Sequence, residues 1–586
     1  MEKNEWLNKR MKSPKVQGCI TAAAAVGSLM ILLAVFFDYY YCMNDDTTMR
    51  DILCGSYTGT PEGRNIQMLY PIGALIALFY KLFPRLSGCD IPWYGLFLCG
   101  CQFGAVFLIC RRVTDFVEAL WKKAALAVLT VLFAGGVLLY ELVYVQYTMT
   151  SAILMAAAVF WFYTSEHTGS AAQFLKRNVL SIVLTVLAFM IRTEMALLLF
   201  PFLLAAGLFK WTKEDKIVTK KNCIQYFGVI GSTLLCMGIA LFINKLAYSS
   251  EEWERFNHFF EERTEIYDFL GYPKFEDNEE FYEEAGLKPE EVHLIENYNF
   301  ALDDKIDDSV MEKMVLYQKE KRNGNTLFLT DSRTAVWLYR HSLLSAEYMP
   351  YNALVLFVYF LLVLAAIDNR DKNYFWKIPM LLLARSVCWM YIILRNRTPE
   401  RITHGLFLME TVLLFALLAG EWKKKKASRI TVSAIACMIV LLSFPGILKK
   451  TAEEYAHRSS VNKEWMVLQD YFKENQDHFY FVDVYSTVDY TEKMFTDVDH
   501  SYRNFDLCGG WTAKSPLYEK KTAQRGIGNI QQDLLEKDHV FFVSKVNRDV
   551  EWLKAYYEEK GYNCEIEEME EIVVNGEVRF VIYRLL

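Results

Sequence analysis

Long apolar runs recur along this chain, and they constrain its fold more than any other feature. The first extends from Ile20 to Tyr41, and comparable runs follow it up to residue 448. An α-helix needs about 20 apolar residues to cross the roughly 30 Å hydrocarbon core of a membrane. With 53% hydrophobic residues among 586, the chain is predicted to be an α-helical polytopic membrane protein with soluble parts. Nothing in it indicates nucleic-acid binding.

Eleven runs are predicted to be membrane-spanning helices because of their length and apolar content. The basic flank before the first run resembles that of a signal sequence, but the run is long enough to remain as a first helix. The predicted spans are residues 18–41, 92–110, 124–145, 147–163, 179–191, 194–209, 223–247, 351–367, 374–394, 402–420 and 430–448.

One shorter apolar stretch, LYPIGALIALFYKLF at residues 69–83, decides the predicted topology. If it does not span, Lys and Arg fall on one side of the membrane throughout, as the positive-inside rule requires. We therefore predict an amphipathic helix lying in the outer interface; the alternative is an ordinary short spanning helix. The basic residues that are then cytoplasmic are Lys3, Lys9, Arg10, Lys12, Lys15, Arg111, Arg112, Lys122, Lys123, Lys176, Arg177, Lys210, Lys213, Lys216, Lys220, Lys221, Arg370, Lys372, Lys377 and Lys423 to Lys426.

This topology predicts a multi-pass plasma-membrane protein with a cytoplasmic N-terminus and an outer C-terminus. Residues 1–448 are predicted to form the transmembrane module. The acidic segment 249–350 is far longer than an ordinary connector, and its helical spacing predicts short helices packed over the outer membrane surface. Three side chains in this segment are either ligand-binding residues or parts of a salt-bridged helix: Arg263, Tyr267 and Asp268.

Residues 450–586 are predicted to form a small outer α/β domain with an accessory role. Runs of β-branched and aromatic residues at 478–486 and 539–545 predict two strands. Residues 549–561 have helical spacing and end at a glycine. Further on, Asn575-Gly576 separates two alternating runs, which predicts a hairpin with a type I′ turn.

Two adjacent carboxylates follow directly on the first apolar run, in the stretch CMNDDTTMRD at residues 42–51. A helix is predicted to begin near Thr47, so either Asp45 or Asp46 would be its N-cap. A cap explains only one of the two carboxylates. The other is left as a candidate for chemistry at the outer end of the first helix.

A charged pair also interrupts the apolar sequence at IRTE, residues 191–194. Charges at membrane depth are costly, so Arg192 and Glu194 are predicted to face a polar cavity inside the bundle. The alternative is a loop at the membrane interface.

The order of these features resembles the GT-C fold of membrane glycosyltransferases, the class that includes protein O-mannosyltransferases and the lipid A aminoarabinose transferase. The matching features are an acidic pair after the first helix, a Pro-containing interfacial helix, about eleven helices, an arginine-bearing break and a C-terminal outer domain. The second acidic residue is Asp where the class often has Glu, and paired prolines are reduced to Pro71. The segment 249–350 has no clear counterpart, which leaves the acceptor open.

The resemblance implies inverting transfer of a sugar from a polyprenyl-phosphate donor to a glycan, lipid or protein acceptor in cell-envelope polysaccharide or glycoconjugate assembly. Such a reaction needs a base for the acceptor hydroxyl and cations for the departing phosphate. Asp45 is the predicted base, and Asp46 would orient the acceptor. The predicted ligands of the phosphate or the sugar are Arg395, Arg397, Arg401, Arg192 and His404.

The three arginines of RNRTPERITHG lie on the outer side, against the positive-inside bias, which calls for a reason. They bind phosphate, or they contact headgroups or the acidic segment. No required metal is predicted, although a divalent cation on the two aspartates is an alternative. The 13 cysteines show no metal-ligand spacing, and Cys508 and Cys564 could form a disulfide. Rival functions are a transporter of lipid-linked saccharides and a non-catalytic envelope-assembly scaffold.

Overall fold

The computed structural model describes residues 13–86, 89–214, 216–369, 374–421, 426–496 and 503–586. Nine of the helices it describes are long and apolar enough to cross a membrane. In chain order these are α1 (Pro14–Phe36), α4 (Trp93–Thr114), α5 (Leu120–Val137), α7 (Tyr147–Thr164), α8 (Ala171–Ile191), α9 (Thr193–Trp211), α10 (Lys220–Ala247), α17 (Tyr374–Leu394) and α18 (Glu400–Glu421).

The remaining two predicted spans lie within other described helices. The first, predicted at 351–367, lies in α16 (Tyr351–Asn369). The second, predicted at 430–448, belongs to a single helix of 49 residues, α19 (Lys426–Glu474). No helix end separates its apolar and charged parts, because the charged residues that follow are themselves good helix formers.

One end of the helical bundle is marked by basic side chains that contact the last carbonyls of neighbouring helices. Lys123 Nζ donates to the Thr114 carbonyl at 2.8 Å, and Lys210 Nζ donates to the Phe162 carbonyl near the end of α7. Cations at helix C-termini are favoured by the helix macrodipole. We call this the basic end. Lys3, Lys9, Arg10, Lys12, Arg370, Lys372 and Lys423 to Lys425 lie outside the described residues.

The helix predicted at 69–83 is α3 (Tyr70–Leu82), and it lies across the opposite end of the bundle. At its start, the Leu69 N–H donates to the Met190 carbonyl at 2.9 Å, close to where α8 finishes. At its end, the Tyr80 hydroxyl accepts the N–H of Tyr94 at 3.0 Å, where α4 begins. Both termini of α3 are therefore held at the same end of the bundle, so the helix does not cross it. We call this the site end.

The acidic segment 249–350 is mostly helical. Its helices are α11 (Glu251–Glu265), α12 (Glu279–Ala285), α13 (Pro289–Glu296), α14 (Asp308–Lys321) and α15 (Ser332–Leu344), and a π-helical turn follows α11 at Ile266–Leu270. The segment packs against the C-terminal domain as well as over the bundle. Asn299 Nδ2 donates to Asp483 Oδ1 at 2.8 Å, and the Ala301 N–H donates to the Cys508 carbonyl at 2.8 Å.

The C-terminal domain contains a five-stranded mixed sheet. Four two-residue strands precede it in the chain: β1 (Tyr40–Tyr41), β2 (Arg85–Leu86), β3 (Cys89–Asp90) and β4 (Tyr144–Val145). The strands of the domain are β5 (Phe479–Val482), β6 (Phe505–Leu507), β7 (Val540–Lys545), β8 (Ile566–Val574) and β9 (Glu577–Leu585), with helices α20 (Pro516–Ala523), α21 (Ile530–Glu536) and α22 (Glu551–Glu559). Their order in the sheet is β6-β5-β7-β9-β8. Strands β6, β5 and β7 are parallel, and β9 runs antiparallel to β7 and β8. The predicted fold class, a helical membrane protein with a small C-terminal α/β domain, is confirmed.

Local predictions for this domain have mixed outcomes. The hairpin between β8 and β9 is confirmed, with φ of 54° at Asn575 and 84° at Gly576, as a type I′ turn requires. The first predicted strand is shorter than expected, because the chain turns at Asp483. The prediction that Cys508 and Cys564 could form a disulfide is wrong. Both are buried free thiols, and burial raises the pKa of both thiols.

Candidate active site

The acidic pair lies in α2 (Asn44–Cys54), which begins earlier than predicted. Its N-cap is Met43, and no side chain caps the helix. The prediction that Asp45 or Asp46 is an N-cap is therefore wrong, because both residues already lie within the first helical turn. Their charges are still favoured there by the positive end of the helix macrodipole. Neither carboxylate accepts a capping hydrogen bond at the start of α2.

Asp46 is completely buried and faces α4. The Tyr94 hydroxyl donates to Asp46 Oδ1 at 2.9 Å, and the Tyr94 ring stacks on Tyr41 with centroids 5.7 Å apart. Asp46 Oδ2 is buried without a hydrogen-bond partner among the described residues. Burial raises the pKa of Asp46 well above its ordinary value, although the Tyr94 hydrogen bond opposes this.

Asp45 is half-buried, and it makes no hydrogen bond or ion pair within the described ranges. Burial raises its pKa above the ordinary value, and the positive charges of Arg401, Arg192 and Arg263 act in the opposite direction. The three arginines come from widely separated parts of the chain. Their charges act on one carboxylate that has no hydrogen-bond partner in the described part of the chain.

The three arginines of RNRTPERITHG have different environments. Arg395 pairs with Glu265 at 3.0 Å, and its guanidinium carbon lies 3.7 Å from the centroid of the Phe269 ring. Arg397 pairs with Asp268 at 2.8 Å. The first two arginines therefore contact the acidic segment, which is one of the alternatives considered from the sequence. As phosphate ligands, Arg395 and Arg397 stay predictions.

Arg401, at the start of α18, is the exception. It is half-buried, and it has no hydrogen bond or ion pair to any part of the chain that the structure describes. Its positive charge acts on both Asp45 and Asp46. An arginine that has left bulk water without a carboxylate partner retains all its donors for a ligand.

Arg192 lies between α8 and α9 in an extended conformation, with φ of −151°. It donates from Nη1 to Gln67 Oε1 at 2.9 Å, and its Nε lies 3.0 Å from a Glu194 carboxylate oxygen. Both flanking helices are long enough to cross a membrane. The break thus occurs where the two helices meet at the site end, and its depth in the membrane stays a prediction. Glu194 is 72% exposed.

Arg263 is a buried cation in the acidic segment, 6% exposed. It donates to the Tyr298 hydroxyl and, at 3.3 Å, to Thr264 Oγ1, and its Nε has no partner among the described residues. It makes no ion pair with a carboxylate in the described chain. The adjacent Tyr267 packs on Tyr298 with ring centroids 4.4 Å apart and donates to the Ile295 carbonyl.

His404 contacts a residue that the sequence prediction missed. Its Nδ1 lies 2.5 Å from Glu141 Oε1, and its ring centroid is 4.8 Å from that of Tyr351. Glu141 belongs to α6 (Leu139–Val143), a short helix just before the strand pair formed by β1 (Tyr40–Tyr41) and β4 (Tyr144–Val145). A single carboxylate inside the apolar run LYELVYV was the available signal.

The C-terminal domain holds α2 through a cluster of four charged side chains. Arg50 pairs with Asp51 and with Glu492, each at 2.6 Å, and Arg503 pairs with Asp51 at 2.9 Å. The Tyr41 N–H also donates to the Glu492 carbonyl at 3.0 Å. A cavity of about 590 Å³ adjoins these residues. The helix that carries the acidic pair is thus attached directly to the domain predicted to be accessory.

The adjacent carboxylates of Asp45 and Asp46 are the candidate ligands for a metal ion. Groups of three His, Cys, Asp or Glu side chains suitable for a metal ion do not occur within the described residues. The statement that the site requires no metal ion stays a prediction.

Comparisons with known proteins give a structural likeness. No family model and no curated protein matches the chain. Among solved structures, the chain is similar to the crystal structure of ArnT from Cupriavidus metallidurans bound to undecaprenyl phosphate, with a TM-score of 0.41 and 11% identity, covering 96% of this chain and 97% of that one. Because identity and TM-score are both low, no residue role follows from this likeness, and the chemistry of the site rests on the contacts described above.

Proposed function

We propose that this protein transfers a sugar from a polyprenyl-phosphate donor to an acceptor hydroxyl at the site end. One observation carries the proposal. Asp45 makes no hydrogen bond or ion pair within the described part of the chain, and the charges of Arg401 and Arg263 act on it. Neither arginine pairs with a carboxylate there. A carboxylate without a partner, together with guanidinium groups that no carboxylate neutralises, provides both a proton acceptor and an anion site.

The reaction makes one bond and breaks one. The acceptor oxygen attacks the anomeric carbon while the bond from that carbon to the phosphate oxygen breaks, so the anomeric configuration inverts. Asp45 takes the proton of the attacking hydroxyl, and its raised pKa makes it a better base than an ordinary aspartate. Arg401 and Arg263 stabilise the negative charge on the departing lipid phosphate. Asp46 and Tyr94 support the helix turn that carries the base.

The proposed base is tested by Asp45→Asn in full-length protein supplied with polyprenyl-phosphate sugars and membrane acceptors. We expect sugar transfer to fall by about 10²- to 10⁴-fold, the usual contribution of a general base. Asp277→Asn, a change at an exposed aspartate of the acidic segment, is the matched control and should transfer normally. Unchanged transfer by Asp45→Asn would remove Asp45 from this role. Movement of labelled lipid across vesicles without any transfer would favour a transporter.

The proposed anion site is tested by direct binding of undecaprenyl phosphate to purified full-length protein. We expect Arg401→Ala to weaken binding by about tenfold to a hundredfold, since a charge-assisted hydrogen bond contributes about 1.5–3 kcal/mol. Arg255→Ala removes a guanidinium that is 62% exposed on α11 and should bind as the wild type does. Equal affinities for the two variants would contradict a phosphate role for Arg401.

A further inference from the structure

The sheet of the C-terminal domain contains a topological switch point. Strand β5 has a parallel neighbour on each side, β6 and β7, so the chain moves to one side of β5 and then crosses to the other. In open α/β sheets, ligands bind in the crevice outside the carboxyl ends of the strands where the order reverses in this way. Here the crevice lies between the segment after β5, residues 483–486, and the segment after β7, which reaches Arg548.

Hydrogen bonds hold the two sides of this crevice in place. The Ser486 N–H donates to Asp483 Oδ2 at 2.9 Å, and the Lys545 N–H donates to Ser486 Oγ at 3.0 Å. Arg548 Nε lies 3.4 Å from Asp483 Oδ2, across the crevice. This arrangement leaves Tyr485 40% exposed, with the Arg548 guanidinium carbon 5.3 Å from its ring centroid.

Tyr298 of the acidic segment borders this crevice, because Oδ1 of the neighbouring Asn299 accepts the Val484 N–H at 3.1 Å. The Tyr298 hydroxyl accepts from Arg263, whose charge also acts on Asp45. Burial raises the pKa of Tyr298, the Arg263 guanidinium opposes this, and the nearby Asp45 and Tyr485 both add to it. The backbone of Gly509 also touches the Tyr298 carbonyl so closely that a Cβ atom at Gly509 would lie 1.7 Å from that oxygen.

We propose that Tyr485 and Arg548, together with Tyr298, form a saccharide-binding subsite that presents the acceptor hydroxyl to Asp45. The proposal rests on the proposed sugar transfer and adds the class of acceptor. The exposed Tyr485 ring packs against the apolar C–H face of a pyranose, which removes apolar surface from water. The Arg548 guanidinium and the Tyr298 hydroxyl hydrogen-bond to sugar oxygens. The C-terminal domain is therefore part of the binding site.

A glycan array probed with full-length, detergent-solubilised protein tests the subsite without an assay of transfer. We expect the wild type to retain a set of saccharides and Tyr485→Ala to lose at least about tenfold in affinity for that set. The matched control is Tyr562→Ala, which removes a tyrosine of similar exposure, 44%, from another surface of the same domain. Saccharide binding that is equal in wild type and Tyr485→Ala, or absent from the wild type, overturns the proposal.

A second measurement separates failure of the subsite from failure of the proposed function. Undecaprenyl phosphate should bind Tyr485→Ala as it binds the wild type, because Tyr485 belongs to the acceptor side. If saccharides bind through Tyr485 while Arg401→Ala leaves lipid binding intact, the subsite stands and the donor site fails. If lipid binding depends on Arg401 while Tyr485→Ala retains saccharides normally, the donor site stands and the subsite fails.

Discussion

At the scale of single residues, charge pairing distinguishes candidates that look alike in the sequence. Arg395, Arg397 and Arg401 share one turn, yet two of them contact carboxylates of the acidic segment and Arg401 does not. The sequence predicted the cluster and the preference for Asp45. It could not show which of the three arginines pair with carboxylates, because the partner of Arg395 is Glu265, 130 positions away in the chain.

The raised pKa of Asp45 predicts the pH dependence of sugar transfer. A base works only when ionised, so kcat/KM should fall as the pH drops through the pKa of Asp45, at a higher pH than for an aspartate with the ordinary value of 3.8. Because Arg401 lowers this pKa, Arg401→Gln should move the acid limb further upward. An unchanged acid limb in this variant would show that the charge of Arg401 does not affect the pKa of Asp45.

At the scale of elements, the contacts of α2 decide whether the site is assembled. The sequence predicted a helix after the first span, but it missed the early start because Asn44, Asp45 and Asp46 are all common caps and the pattern does not choose among them. It also missed the attachment to Glu492, which is more than 400 residues away and carries no local signal.

Glu492→Gln tests this attachment. Burial raises the pKa of Glu492, but Arg50 and Arg503 outweigh it and hold the pKa below the ordinary 4.5. A depressed pKa means that Glu492 contributes stability above about pH 4.5, and that this contribution is lost as the pH falls through the lowered pKa. We expect Glu492→Gln to lower Tm by several degrees at pH 7 and by less below pH 4.5.

The measurement is thermal unfolding of purified full-length protein at pH 7 and at a pH below 4.5. Glu474→Gln, a change at an exposed residue at the end of α19, is the control and should match the wild type. A Tm loss of the same size at both pH values would show that the ionised carboxylate of Glu492 is not what stabilises the fold.

At the scale of the whole molecule, the acidic segment and the C-terminal domain together cover the site end. Apolar periodicity and charge distribution were sufficient to predict a helical membrane bundle and a separate α/β domain. The packing of Phe259, Phe300 and Phe479 into one shared apolar core was not predictable, because both parts read as ordinary amphipathic segments when taken alone.

Gly509→Ala tests this joint. The added Cβ would lie 1.7 Å from the Tyr298 carbonyl oxygen, so the domain and the segment must separate. We expect faster proteolytic cleavage within residues 249–350, measured by SDS gel electrophoresis, and a lower Tm. Gly528→Ala adds a methyl group where nothing lies within 4 Å and should be cleaved at the wild-type rate. Equal cleavage of both variants would contradict a tight joint at Tyr298.

The continuity of α19 has a mechanical consequence. At a rise of 1.5 Å per residue, its 49 residues form a rod about 74 Å long that joins the bundle to the sheet without a linker. A tilt of about 5° around its midpoint would displace the sheet end by about 3 Å, roughly the length of a hydrogen bond. Pro445 has no N–H to donate a helical hydrogen bond, so we expect α19 to bend at this residue. A change in the tilt of α19 would therefore change the distance between the crevice and Asp45.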